Sequence, residues 1–205
     1  MTTPPDLRAW FGAIDIYLFD QLLKGRFTPA MRLLDAGCGD GRNLIYFLRA
    51  GYDVCAVDQA PESIAHVRAL AAQLAPQLAA DNFRVEPVER LSFAAESFEL
   101  VISSAVLHFA RDEAHWRAML AEMWRVLRPG GFFFARLAAT ISIEHSVTPL
   151  GGRRYKLPDG SERFLVDEEM LTEATRALGG TWLEPLKTTN VQQQRAMTTW
   201  CLRKT

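Results

Sequence analysis

Apolar and polar residues change rhythm repeatedly along this chain. The short apolar runs "MRLLDAG", "DVCAVD", "FRVEP", "FELVISSAV" and "FFFARLAA" predict buried strands. Three- and four-residue periodicity in "GRNLIYFLRAG", "PESIAHVRALAAQLAPQLAA" and "EAHWRAMLAEMWRVL" predicts helices lying among them, the second opened by Pro61 and the third stopped at "RPGG". Strand and helix alternating from residue 31 to about 138 imply βαβ crossovers and a mostly parallel sheet with helices on both faces. A further helix, "DEEMLTEATRALGG", precedes two strands near "TWLEPLK" and "RAMTTWCLR". No helix separates those two, so they are expected to pair antiparallel at one edge. Ahead of the first strand, "LRAWFGAIDIYLFDQLLKG" predicts one or two amphipathic helices ending at Gly25. The expectation is a single domain, 1–205, with an N-terminal helical cover over 1–30.

One long stretch, residues 139–164, has no clear periodicity, although "LPDGS" within it signals a tight turn and a small hairpin. Inserts of this length in a compact domain are usually functional. This one leaves the carboxyl end of a strand, so it is expected to form a lid over the site that recognises substrate.

Composition narrows the class. A 49% hydrophobic share of 205 residues is enough for one sizeable core. Lys plus Arg is 23 against 24 for Asp plus Glu, a net charge of -1, which gives no global pull towards nucleic acid or an anionic membrane. Cys38, Cys55 and Cys201 lie far apart with no metal-ligand spacing, a sparse usage that suits a reducing compartment. The start "MTTPPDLRAW" has neither the basic n-region nor the apolar core of a signal peptide. A cytoplasmic protein with no metal is expected.

The chemistry is concentrated in "LLDAGCGDGRN", Leu33 to Asn43. This glycine loop follows the first parallel strand and opens a helix, the place where open α/β sheets bind ligands. Asp58 ends the next strand, 21 positions after Gly37, where an acid accepts hydrogen bonds from ribose hydroxyls. A dinucleotide fits poorly: the last glycine of GxGxxG is replaced by Arg42, and Asp35 and Asp40 place negative charge beside a pyrophosphate. A nucleoside ligand that lacks phosphate and carries positive charge meets both conditions, as S-adenosylmethionine does.

"DAGCGDGRN", "VDQAPESI", "ERLSFAAESFELVISSAVLHF" and "RVLRPGGFFF", in that order, resemble the class I S-adenosylmethionine-dependent methyltransferases, in particular the small methyltransferase-domain type acting on low-molecular-weight substrates. The resemblance spans about residues 31–138. It implies a Rossmann-like, doubly wound, seven-stranded sheet with an antiparallel edge strand, and S-adenosyl-L-homocysteine as the cofactor product. It further implies that Asp35, Gly37 and Gly39 line the methionine end, that Asp58 takes the ribose and Gln59 packs beside the adenine, and that Val88 and Glu89 flank the adenine rim. Ser103 to His108 would border the methionine and the transferable methyl. The family's acid two residues before Glu89 is Pro87 here.

His108 is the candidate general base, because it follows the fourth strand and titrates near neutrality. His66 and His115 fall in amphipathic helices and read as surface residues. Trp10, Phe11 and Tyr17 are candidates to cover the sulfonium with aromatic rings. Arg153, Arg154, Lys156 and Arg163 make the insert basic and suggest an anionic group on the small-molecule substrate. "SSAVLHF" differs from the Asn/Asp-Pro-Pro-aromatic turn of many methyltransferases acting on planar amino nitrogens, and no nucleic-acid substrate is expected. A non-catalytic cofactor-binding sensor or partner subunit, and a chalcogen methyltransferase of tellurite or thiol type, are the alternatives.

Overall fold

The computed structural model describes residues 6–205; residues 1–5, the start of the expected cover, lie outside the described residues. The five expected strands form as β1 (Arg32–Ala36), β2 (Asp53–Asp58), β3 (Phe83–Val85), β4 (Phe98–Ser104) and β5 (Leu127–Ala138), paired in parallel in the order β3-β2-β1-β4-β5. Between and before them run α1 (Leu7–Phe11), α2 (Ile16–Leu23), α3 (Ile45–Arg49), α4 (Pro61–Leu74) and α5 (Glu113–Val126). The pleat sends neighbouring residues of β1 to opposite faces, so Leu33 joins the apolar cluster under α3 and α4 while Leu34 joins the one under α5. Both faces are buried, which is why these strands read as continuous apolar runs.

Beyond β5, the insert makes a three-stranded antiparallel sheet of β6 (Thr148–Gly151), β7 (Arg154–Lys156) and β8 (Glu162–Phe164). The β7–β8 turn is the one expected at "LPDGS": Leu157 donates its N–H to Ser161 at 2.8 Å. Ile143, Val147, Leu157 and Leu165 give the insert a small core of its own with Ala138 and Ala196. After α6 (Glu168–Ala177), β10 (Lys187–Val191) and β11 (Arg195–Lys204) pair antiparallel, and β11 runs antiparallel to β5. The short β9 (Gly180–Trp182) lies along the far end of β11 as an eighth strand on the same edge.

Two boundaries differ from the sequence expectation. The helix expected through Ala80 stops at Leu74, because Ala75 precedes Pro76 and takes φ -147° rather than a helical angle. The strand expected at "TWLEPLK" is divided, with Pro185 standing between β9 and β10 where it has no N–H for a ladder. The hairpin turn consequently shrinks to Gln192–Gln194, and Gln192 and Gln193 adopt positive φ of 48° and 60°.

Candidate active site

After β1 the chain turns sharply, and the N–H groups of Gly37 and Cys38 both donate to the Val57 carbonyl of β2, at 2.9 and 3.0 Å. Gly37 has φ +82°, and a Cβ placed on it would lie 2.5 Å from Cγ2 of Val106, so this turn admits no side chain. Gly39 has φ +50°, and a Cβ there would meet nothing within 4 Å, because that side of the loop is open. Asp58 fastens the loop to the end of β2: one carboxylate oxygen accepts from Gly39 N–H at 2.9 Å, the other from Ala60 N–H at 3.0 Å. Above this floor lies a cleft of about 650 Å³ at the carboxyl ends of β1, β2 and β4.

Gly37, Gly39, Asp58, Gln59, Val88 and Glu89 all line that cleft, as do Arg42 and Asn43. Asp35 sits beneath the loop, 1% exposed, with neither carboxylate oxygen hydrogen-bonded. Burial, reinforced by nearby Asp58 and opposed by Arg42, pushes its carboxyl up to about 7. Cys38 lines the cleft, but burial first and then the charges of Asp35 and Asp58 drive its thiol well above the ordinary range, so it remains a neutral filler.

Three expected site residues are placed elsewhere. Ser103 is fully buried on the α5 side of β4; the next residue, Ser104, lines the cleft instead. Tyr17 turns its hydroxyl to Thr189 of β10 at 2.6 Å and takes the Arg136 guanidinium over its ring at 5.0 Å. His108 is 7% exposed, outside the cleft lining, and its Nδ1 accepts the Ala138 N–H at 3.3 Å. Burial, with a further push from Arg163, takes its pKa down to about 4. A neutral imidazole has one acceptor nitrogen, and Ala138 already occupies it.

Two contributors escaped the sequence reading. His115, expected on the surface, lines the cleft with its Nε2 3.2 Å from Glu89 Oε1, while its Nδ1 accepts the Arg111 N–H at 3.1 Å. Asp15 drew no expectation of its own from the sequence; it caps α2 by accepting Tyr17 N–H at 3.0 Å. Its other oxygen, fully buried, meets Arg136 Nη1 at 2.9 Å, the Ser104 hydroxyl at 3.3 Å and Arg42 Nη2 at 3.7 Å. Asp15 N–H also donates to Asn43 at 2.9 Å. The N-terminal cover is therefore tied by polar contacts to the glycine-loop region and to β4 and β5. Trp10 and Phe11 do not line the cleft; Phe11 stacks on Tyr46 of α3 at 5.2 Å.

A parallel sheet, a glycine loop on β1, an acid closing β2 and an orphaned carboxylate beneath the loop define a nucleoside-binding α/β protein. Residues 34–135 match a family model described as a methyltransferase domain. An uncharacterised methyltransferase of Bacillus subtilis, YodH, is 35% identical over 118 residues, covering 58% of this chain and 48% of that one. A malonyl-[acyl-carrier protein] O-methyltransferase of Pectobacterium atrosepticum is 28% identical over 181 residues, covering 77% of this chain and 68% of the relative. Among solved structures, a Burkholderia thailandensis 1,6-didemethyltoxoflavin-N1-methyltransferase, holding 1,6-didemethyltoxoflavin and S-adenosylhomocysteine, aligns with a TM-score of 0.69. The two are 23% identical, and the alignment covers 98% of this chain and 81% of that one. The chain belongs to the class I S-adenosylmethionine-dependent methyltransferase family. It spans half or less of the length of six of the curated relatives it matches.

Proposed function

We propose that the protein binds S-adenosylmethionine in this cleft and transfers the methyl group to a small-molecule acceptor. The observation that carries the reading is Asp35, a buried carboxylate without a hydrogen-bond partner under an open glycine loop. An unpaired carboxylate in that position is costly unless a cation arrives, and the ammonium of the methionine moiety is such a cation. Asp58 uses one lone pair of one oxygen on Gly39 of the loop and one lone pair of the other on Ala60 N–H; the remaining pairs suit two ribose hydroxyls. Gln59, Val88 and Glu89 make the wall for the adenine, in a cleft that Met119 and His115 also line.

The bound cofactor supplies an activated sulfonium methyl, which leaves the chain to align the acceptor and exclude water. With His108 held by Ala138, no proton transfer is assigned to it. Titration calorimetry tests the reading: S-adenosylmethionine or S-adenosylhomocysteine should bind near one per chain, and equal or tighter binding of NADH would overturn it. Incubation with methyl-labelled cofactor and a metabolite extract separates catalysis from mere binding, because a sensor transfers no label. Asp58→Ala should weaken cofactor binding by about 1–3 kcal/mol, through lost ribose bonds and a loosened Gly39. Unchanged affinity in the folded variant would remove Asp58 from the ribose site.

A further inference from the structure

We propose that the acceptor carries an oxyanion, a carboxylate or a phosphate, on an apolar body, and that Arg163 and Phe109 seat it at the outer rim of the cleft. The proposal rests on the methyltransferase reading and deepens it by naming a substrate class.

Phe109 lines the cleft yet is 59% exposed, a large apolar ring with little cover. The Arg163 guanidinium, carried by β8 of the insert, stands over that ring at 5.0 Å. Arg163 makes one side-chain hydrogen bond, to the carbonyl of its neighbour Glu162 at 2.7 Å, and no carboxylate forms an ion pair with it among the described residues. Asp159, held low first by its hydrogen bonds from Ser161, feels the charge of Arg163 without pairing to it. The other arginines of the insert are engaged. Arg153 reaches Asp167 at 2.7 Å and Glu113 at 3.9 Å, and Arg154 reaches Glu162 at 3.0 Å. The register explains the division: Arg163 opposes Tyr155, so these two leave the hairpin on one face while Arg154 and Lys156 leave on the other. Two residues past Phe109, Arg111 also lines the cleft and makes no ion pair among the described residues. The acids of the cleft, Asp40, Asp58 and Glu89, lie on the cofactor side: Asp40 belongs to the glycine loop, Asp58 accepts from the N–H groups of Gly39 and Ala60, and Glu89 faces His115. A guanidinium beside an open aromatic ring matches an oxyanion attached to a flat apolar group.

Ligand-detected NMR on the S-adenosylhomocysteine-loaded protein tests this with benzoate, phenyl phosphate and benzamide. Both anions should bind at least about tenfold more tightly than the neutral amide, as charge-assisted recognition requires. Whichever anion binds better identifies the oxyanion. Arg163→Met should bring the anions down to the level of benzamide, Arg163→Lys should retain part of the preference, and Arg154→Met, on the opposite face, should change nothing. Equal binding of benzamide, or an unaltered preference in Arg163→Met, would overturn the seat. Calorimetry with S-adenosylhomocysteine on the same samples separates the two readings. Saturation without anion preference removes the oxyanion seat alone; no saturation removes the methyltransferase reading and the seat with it.

Discussion

Replacing Asp35 with Asn should cost the protein about 10- to 100-fold in S-adenosylmethionine affinity, the roughly 1.5–3 kcal/mol of a hydrogen bond to a charged group. The same change should make the ligand-free protein more stable at pH 8. Asp35 keeps its proton in the fold up to about 7, against the ordinary 3.8, because burial disfavours the carboxylate. Between those values the folded state binds more protons than the unfolded chain, so the contribution of Asp35 to stability is complete below pH 4 and declines as pH rises through 7. The loss is at most roughly 4 kcal/mol across that window. Thermal midpoints of the ligand-free protein measured from pH 5 to 8 should fall more steeply in wild type than in Asp35→Asn. A cation bound at Asp35 draws the carboxyl back into its ionised form. Cofactor binding near pH 7 should therefore release a proton, seen as an enthalpy that varies with the ionisation heat of the buffer. An Asn variant that binds as well as wild type would sever Asp35 from the ammonium.

Gly37→Ala is the second large effect expected. The new methyl would face Val106 Cγ2 at 2.5 Å and Cγ1 at 2.8 Å, from a backbone with φ +82°. The left-handed conformation alone costs a side chain roughly 1–2 kcal/mol, which for a chain of this size lowers the thermal midpoint by roughly 2–8 °C. The larger consequence falls on binding, because the loop and Val106 must move apart and both line the cleft. Cofactor binding should drop below calorimetric detection while circular dichroism still shows a folded protein. Pairing the change with Val106→Ala removes the clash but not the strained angle, so the double variant should recover part of the affinity. If it recovers none, the close approach to Val106 is not what excludes a side chain there.

How far the sequence reached depends on how local each feature is. Alternation of short apolar runs with helical periodicity was enough to define β1 to β5 and the antiparallel pair at the edge, because both faces of the sheet must be covered. The glycine loop and Asp58 were equally legible, since a strand, a tight turn and an acid closing the next strand form a constellation readable from spacing. Ser103 and Ser104 show where that ends: on a strand buried on both sides, polarity does not reveal which residue faces the cleft. The fate of His108 was beyond local pattern as well, because its partner is a backbone N–H 30 positions away.

The sequence by itself determined the layered fold, the position of the glycine loop and the acid that closes the next strand, all of which follow from periodicity and short-range spacing. Tertiary structure alone decided which charges remain free. Four cations in the insert look equivalent in the sequence, but in the fold Arg153, in the turn before β7, pairs with Asp167, Arg154 pairs across the hairpin with Glu162, and the register leaves Arg163 on the other face, over Phe109. It also gathered Arg42, Ser104 and Arg136, from the glycine-loop region, β4 and β5, around the buried carboxylate of Asp15 at the start of α2. Charge pairing depends on distances between segments far apart in the chain. Those distances are fixed by how the sheet and its covering elements pack, a property that no window of the sequence contains.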